Sequence, residues 1–196
     1  MAKGEDPASP RPRNAEATRQ LILDQARRLF AQSGYGPTTV KAVAVAAAVS
    51  PNLITRYFGG KEGLFLASTR TELQLDPVFS GARESLGARL AESIVRRWSG
   101  IDGEDPLLVL QRASGEKPEA AEALARFLDV QSLEPLAACL RGYGFGDAES
   151  RARAAAIDAF VLGVSTRRRV LRRDLGDLHH LQDWLGVTIQ RLVDDD

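Results

Sequence analysis

Residues 38–61 read TTVKAVAVAAAVSPNLITRYFGGK, and this stretch predicts two short helices joined by a tight turn. Thr39 is of a type that caps a helix N-terminus, and the helix it opens would end near Ala47. Ser50-Pro51 is a strong start signal for the second helix, and Gly59-Gly60 ends that helix. Two short helices connected in this way have the layout of a helix-turn-helix.

The apolar positions of this stretch fit two helices that pack against each other. Ala44 is small where the helices would cross, and Val49 is apolar where the turn folds inward. Ile54 and Phe58 lie four residues apart and so share one face of the second helix. The opposite face carries a mixed set able to meet phosphates and base edges: Asn52, Leu53, Thr55, Arg56 and Tyr57. An ordinary helical corner with a polar solvent face would show the same periodicity, so both interpretations stay open at this point.

Helices are also predicted on both sides of this stretch. Upstream, Asn14 is a plausible N-cap for a helix whose apolar stripe is Ile22, Ala26, Leu29 and Phe30. Downstream, Lys61 opens a helix directed towards Leu73. Residues 1–13 are expected to form a disordered arm, because they hold prolines and charges but no large apolar residue after the first methionine.

The remaining chain predicts longer helices separated by glycine. We expect them near 78–99, 105–114, 118–142, 147–173 and 178–193. Pro135 falls inside the third and should kink or divide it. No segment shows the two-residue alternation of a strand. The predicted fold class is therefore all-α: a three-helix helix-turn-helix domain at 14–60, followed by a C-terminal helical bundle at 61–196.

Charge is distributed unevenly along the chain. The net charge is zero, but residues 1–63 hold nine Lys or Arg against five Asp or Glu, so that part carries +4 and the rest carries −4. A basic end on an acidic body fits a protein that presents one end to a polyanion.

Several other classes of protein find no support in the sequence. No apolar run is long enough to span a membrane, and the single cysteine, Cys139, excludes an intrachain disulfide, which suits a reducing cytoplasm. His179-His180 would point in different directions on a helix, so we predict no metal site there. The sequence lacks a phosphate-binding loop, a nucleophile elbow and a dinucleotide fingerprint. We predict neither an enzyme nor a cofactor.

Six short elements stand in order between residues 29 and 65: Leu29-Phe30, Gly34-Tyr35, Thr38-Thr39-Val40, the turn Ala44–Ser50, Tyr57-Phe58 and Lys61–Phe65. Together, residues 15–66 resemble the DNA-binding domain of the tetracycline-repressor (TetR) family of bacterial regulators. The resemblance implies a homodimeric transcription regulator that binds double-stranded operator DNA, most often a repressor released by a small-molecule effector. The alternative is a helical small-ligand-binding protein that has lost DNA binding.

The resemblance also implies roles for individual residues. Phosphate contacts fall to Thr39, Tyr57 and Lys61, and base-side contacts to Pro51, Asn52, Leu53 and Thr55. Lys41 and Arg56 complete the predicted DNA-binding set. The arm residues Arg11 and Arg13 either reach the duplex or stay solvated.

Two residues depart from the family's pattern, and they are the features that favour the alternative. Ala48 stands where the family usually has the turn glycine, and a positive φ there would strain alanine by roughly 1 kcal/mol. Thr55 stands where the family often has a tyrosine that contacts phosphate, and its hydroxyl has a shorter reach.

For the C-terminal bundle, the resemblance implies a dimer interface and an effector pocket. The predicted interface residues lie on the last two helices: Ala159, Leu162, Gly163, Thr166, Leu181, Leu185 and Ile189. These stripes are also suited to a protomer's own core. The predicted pocket residues are Phe79, Trp98, Leu110, Phe127 and Phe160, for which plain core packing is the other interpretation. An apolar or amphipathic ligand is expected, and the helix from Lys61 is expected to couple ligand binding to DNA binding.

Overall fold

The computed structural model describes residues 12–73, 75–100 and 105–194, which are helical or irregular and include no strand. The all-α prediction is therefore confirmed for the described part of the chain. Two compact units are present, Met1–Arg70 and Thr71–Asp196. We refer to them as unit 1 and unit 2.

Unit 1 contains the predicted helix-turn-helix and the helices that flank it. Its helices are α1 (Pro12–Ser33), α2 (Val40–Ala46), α3 (Pro51–Phe58) and α4 (Lys61–Ser68). The N-cap prediction at Asn14 is wrong, because α1 begins at Pro12, whose fixed φ suits the first helical position. The last two residues of the predicted arm are thus helical, while residues 1–11, with Arg11, lie outside the described residues.

Helix α4 is part of the core of unit 1. Leu64 and Phe65 are buried, and the Phe65 ring makes edge-to-face contacts with Phe30 and Tyr35 at centroid distances of 5.1 and 5.0 Å. The helix ends at Ser68 and does not extend to Leu73 as expected, and the Ser68 hydroxyl donates to the Phe65 carbonyl. Because α4 packs here, unit 1 continues to residue 70, whereas the sequence-based boundary falls after residue 60.

Unit 2 contains seven described α-helices. They are α5 (Asp76–Phe79), α6 (Leu86–Gly100), α7 (Pro106–Ala113), α8 (Pro118–Leu128), α9 (Glu134–Gly142), α10 (Asp147–Ser165) and α11 (Leu178–Asp194). The expected single helix at 78–99 is interrupted after Phe79. There the Arg89 guanidinium donates to the carbonyls of Val78 and Ala82, at 2.7 and 2.9 Å, in place of helical N–H groups.

Two single π-helical turns lengthen helices of unit 2. The turn Asp129–Leu133 joins α8 to α9, and the turn Thr166–Val170 extends α10. The first lies directly before Pro135, which has no N–H to continue the α-helical bonding. The segment 118–142 is thus not one regular α-helix, in line with the prediction that Pro135 kinks or divides it: a π-helical turn interrupts it just before the proline.

Helices α6 and α11 cross closely in the core of unit 2. A side chain on Gly87 would meet backbone of α11, since its Cβ would lie 2.7 Å from the Gln190 nitrogen. Three residues of α11 are buried in this core: Leu181, Leu185 and Ile189. These three predicted interface residues therefore belong to the protomer's own core, and the face of α11 left exposed carries other residues.

A buried carboxylate connects three segments of unit 2. Asp105 is fully buried and caps α7 by accepting from the Leu107 N–H at 3.0 Å. It also accepts from Arg97 of α6 at 2.8 Å and from Arg169 of the second π-helical turn at 2.7 Å. Burial alone would raise the pKa of Asp105, but the hydrogen bonds and charges of Arg97 and Arg169 outweigh burial and hold that pKa below its usual value.

Replacing this carboxylate should destabilise the protein. Asp105→Asn leaves two mostly buried guanidinium groups without a counter-charge, so we expect the free energy of unfolding at pH 7 to fall by about 3 kcal/mol. Because the folded-state pKa is lowered, the stabilisation is present above the unfolded-state pKa and lost as the pH falls through the folded value. Denaturant titrations from neutral to acidic pH measure both effects.

The matched control for this prediction is Glu122→Gln, which breaks an exposed ion pair with Arg126 of 3.6 Å on α8. That substitution should change the free energy of unfolding by less than about 0.5 kcal/mol. Equal losses for the two variants would show that the buried cluster does not stabilise unit 2.

Candidate nucleic-acid interface and ligand cavity

Helix α2 is capped as the sequence predicts. The Thr39 hydroxyl accepts from the Ala42 N–H at 3.1 Å, and Thr39 itself is exposed. The helix buries Val43 and Ala44 and leaves Lys41 in solvent. Lys41 has no ion-pair partner in the described part of the chain, so its charge is available to an external anion.

The turn between α2 and α3 is closed by backbone hydrogen bonds. The Val49 N–H donates to the Ala44 carbonyl at 2.9 Å, and the Ala48 N–H donates to the Val45 carbonyl at 3.2 Å. This path holds Ala48 at a φ of +52°, which confirms the positive φ considered from the sequence. Alanine is strained in that region by about 1 kcal/mol. Ser50 precedes α3 as predicted, but its side chain makes no capping hydrogen bond.

Helix α3 presents one face inward and one outward. Ile54 is fully buried, and Phe58 is half-buried under the Arg19 guanidinium, 5.3 Å from the ring centroid. Four of the predicted DNA-contacting residues on α3 are exposed: Pro51, Asn52, Thr55 and Arg56. The geometry therefore leaves a mixed polar and basic surface, which we call the α3 face.

Leu53 and Tyr57, also predicted to contact DNA, are half-buried at the margin of the α3 face. The Tyr57 ring packs edge-to-face against Phe58 at a centroid distance of 6.2 Å. Lys61 is half-buried as well. Its ammonium group donates to the Gly36 carbonyl at 2.9 Å and lies 4.4 Å from the Tyr35 ring centroid. Lys61 thus connects the start of α4 to the loop before α2, a structural role that its spacing in the sequence does not reveal.

The segment around the α3 face carries only positive charge. From Gln25 to Lys61 the sequence contains no aspartate or glutamate, but it contains five Lys or Arg residues. Arg27 is paired with Asp24, but Lys41 and Arg56 are exposed. Exposed charges of this kind attract a polyanion over about a Debye length, which is about 8 Å at physiological salt.

Unit 2 encloses a cavity of about 110 Å³. Of the five predicted pocket residues, Phe79 and Trp98 line it. The other three do not. Leu110 is buried in the core, Phe127 is half-buried elsewhere, and the Phe160 ring packs against Trp184 at a centroid distance of 5.4 Å.

The cavity also has polar lining residues that sequence reasoning missed: Arg97, Gln111, Ser132, Asp158 and Ser165. Burial raises the pKa of Asp158; a hydrogen bond with Ser132 opposes this rise and the charge of Asp129 adds to it. A sequence feature that could have indicated Asp158 is its position as a lone carboxylate inside the apolar run AAIDAFVLG at 155–163.

The outward face of the last two helices differs from the expected interface. Ala159 and Gly163 are exposed on α10 as predicted. Thr166 instead forms a hydrogen bond inside unit 2, where its hydroxyl accepts from the Gln111 amide at 2.6 Å. Leu162, also predicted at the interface, lines the cavity. On α11 the exposed apolar residues are Trp184 and Val187, at 50% and 55% exposure.

The two histidines of the chain stand next to each other, at positions 179 and 180. Both histidines are exposed, and a His180 ring nitrogen lies 2.8 Å from the Asp177 carboxylate. Among the residues that the structure describes, no three His, Cys, Asp or Glu side chains are grouped as a metal site. Within the same ranges, no helix is both long and apolar enough to cross a membrane.

Two family models match the chain. Residues 22–68 match the model described as bacterial regulatory proteins of the tetR family, and residues 84–193 match the tetracyclin repressor-like C-terminal domain. The first match includes the helix-turn-helix, and the second covers more than half of the chain.

Individual proteins are similar as well. The HTH-type transcriptional repressor AcnR of Corynebacterium efficiens is 33% identical over 113 residues, which is 58% of this chain and 48% of that protein. The HTH-type transcriptional regulator HbdR of Aromatoleum sp. is 36% identical over 62 residues, or 32% of this chain and 27% of that protein. The chain thus spans about half the length or less of these curated relatives.

A solved structure shows the same fold. The crystal structure of NalD from Pseudomonas aeruginosa, the secondary repressor of the MexAB-OprM multidrug efflux pump, superposes with a TM-score of 0.71. That comparison covers 94% of this chain and 100% of NalD, at 22% identity.

Relieving the strained turn should stabilise unit 1. Ala48→Gly removes the Cβ that disfavours a φ of +52°, so we expect the free energy of unfolding to rise by about 0.5–1 kcal/mol, as measured by denaturant titration. Ala46→Gly, two residues earlier and inside α2, is the matched control and should lower stability by a similar amount. A loss of stability in both variants would show that Ala48 is not strained.

Proposed function

The chain belongs to the TetR family of bacterial regulatory proteins, and from this premise we propose that it is a sequence-specific transcription regulator that binds double-stranded DNA. We propose further that it acts in the cytoplasm as a homodimeric repressor, which a small-molecule effector releases from its operator. The observation that carries the proposal is the α3 face, whose polar and basic residues are exposed because Ile54 fixes the opposite side of the helix inward.

The residue types on the α3 face suit the major groove of B-DNA. An asparagine such as Asn52 can pair bidentately with adenine, and an arginine such as Arg56 can pair with guanine or a phosphate. Thr39 and Lys41, exposed at the start of α2, are suited to phosphate contacts that position the protein without reading sequence. The alternative of a ligand-binding protein without DNA binding is less well supported, since the α3 face is exposed even with the strained Ala48 in the turn.

A two-fold operator requires two copies of α3 about 34 Å apart, which a dimer supplies. We place the dimer surface on the outward side of α10 and α11. There Ala159 and Gly163 permit close helix approach, and Trp184 and Val187 offer apolar area that solvent otherwise meets.

Effector control follows from linkage between two sites. A ligand in the cavity of unit 2 releases the protein from DNA only if it binds the DNA-free state more tightly. By the same linkage, operator DNA must weaken ligand binding by the same factor.

DNA binding is tested with duplexes that the protein selects from a random library. We expect the affinity to fall steeply as salt rises, and Lys41→Ala to weaken all duplexes similarly and reduce the salt slope by about one. Asn52→Ala should instead relax the preference at one base position. Fluorescence anisotropy at several salt concentrations measures these effects.

The control for these variants is Arg126→Ala, which removes a mostly exposed charge from α8 of unit 2 and should leave binding unchanged. Affinity that is independent of salt, or binding and preference that neither Lys41→Ala nor Asn52→Ala alters, would contradict the proposal.

The dimer surface is tested by placing a charge on it. Trp184→Glu should convert a dimer to a monomer in analytical ultracentrifugation, because an isolated carboxylate is costly in an apolar interface. Val130→Glu, at another exposed apolar position of unit 2, should leave the dimer intact. A monomeric wild-type protein, or a Trp184→Glu variant that remains dimeric, would rule out this surface.

A further inference from the structure

The cavity of unit 2 is lined mainly by apolar side chains, with a few neutral polar ones and two charged ones, Arg97 and Asp158. The positive charge of Arg97 is already balanced, because its guanidinium donates to the fully buried Asp105 at 2.8 Å. Asp105 also accepts a hydrogen bond from Arg169 at 2.7 Å, so the charge of Arg97 does not need a ligand to balance it.

The negative charge of Asp158 is not balanced in this way. In the described part of the chain it has no ion-pair partner. The charged group that most affects its pKa is Asp129, of the same sign, and the side chain that opposes the rise is the neutral Ser132. A half-buried carboxylate beside an apolar cavity without a counter-charge is costly, and the rise in its pKa reflects that cost. A cation bound beside Asp158 would remove this energetic cost.

The walls around Asp158 suit an organic cation. Phe79 and Trp98 contribute aromatic rings, whose faces attract cations, and Leu90, Leu136 and Ile157 contribute aliphatic surface. The volume of about 110 Å³ is smaller than an engineered cavity of about 150 Å³ that holds benzene, so the apolar body of the ligand is at most about one ring, with its charged arm at the partly exposed Asp158.

We propose that this cavity binds a small amphipathic organic cation, with its ammonium group against Asp158 and its apolar body against Phe79 and Trp98. The regulatory consequence, release of DNA when the cavity is filled, rests on the proposed function; binding itself does not. The rival ligand is an anion, because the buried Nε of Arg97 has no hydrogen-bond partner in the described structure.

Three one-ring probes of similar shape separate these possibilities: benzylamine, protonated at pH 7, neutral benzyl alcohol and anionic benzoate. In calorimetric titrations of the full chain, we expect benzylamine to bind at least about tenfold more tightly than benzyl alcohol, and benzoate to bind no better than the alcohol. Equal affinities, tighter binding of benzoate, or no saturable binding of benzylamine would overturn the proposal.

Asp158→Asn keeps the shape of the side chain and removes its charge, so it should abolish the preference for benzylamine while benzyl alcohol binds as before. Asp129→Asn, which removes the exposed neighbouring carboxylate, should preserve the preference. A preference that survives Asp158→Asn overturns the proposal. If that variant does not fold by circular dichroism, the ranking of the three probes on the wild-type protein decides.

Operator binding, measured separately with the selected duplexes, distinguishes a failure of the cation site from a failure of the proposed function. A wild-type protein that binds DNA but does not distinguish benzylamine refutes the cation site and leaves the proposed function standing. A protein that prefers benzylamine but binds no duplex refutes the proposed function and leaves the cation site standing.

Discussion

The burial of Ile54 is the constraint on which the helix-turn-helix depends. Helix α3 has eight residues, fewer than the 12–15 or so that an isolated helix needs to be even marginally stable in water, so packing must hold it. Ile54 is the fully buried anchor, and the half-buried Tyr57 and Phe58 pack against each other. Once this side is fixed inward, Asn52, Thr55 and Arg56 must face solvent. The strained φ of Ala48 is the cost of a turn tight enough to bring α3 onto α2 in this orientation.

Unit 2 is organised by different interactions. The close crossing of α6 and α11 needs a residue without a side chain at Gly87, and the Asp105 cluster fixes the ends of α6, α7 and the α10 extension. Both π-helical turns border the cavity, since Ser132 lies in the first and Ser165 directly precedes the second. Such turns displace side chains from the regular helical positions and often occur at functional sites. The cavity therefore forms where regular helix geometry is interrupted.

Local signals predicted most of unit 1. Thr39, Ser50-Pro51 and Gly59 mark helix ends within a few residues of themselves, which is why α2 and α3 were located from the sequence. Periodicity gave the leucine stripe of α11, but it could not tell which surface the stripe meets, and Leu185 lies in the protomer's own core. The cavity was only partly predicted, because Asp158 of α10 is distant in sequence from Arg97 of α6 and Gln111 of α7. Their meeting is a property of the packed bundle.

In the proposed function, the α3 face enters the major groove of DNA twice per assembly. Methylation of guanine N7 by dimethyl sulfate reports that groove directly, because N7 lies at its floor. On a duplex selected by the protein, the account predicts N7 protection in two clusters about one helical turn, roughly 10 base pairs, or a multiple of it apart. Unprotected N7 atoms on a fully bound duplex, with protection confined to adenine N3 in the minor groove, would contradict it.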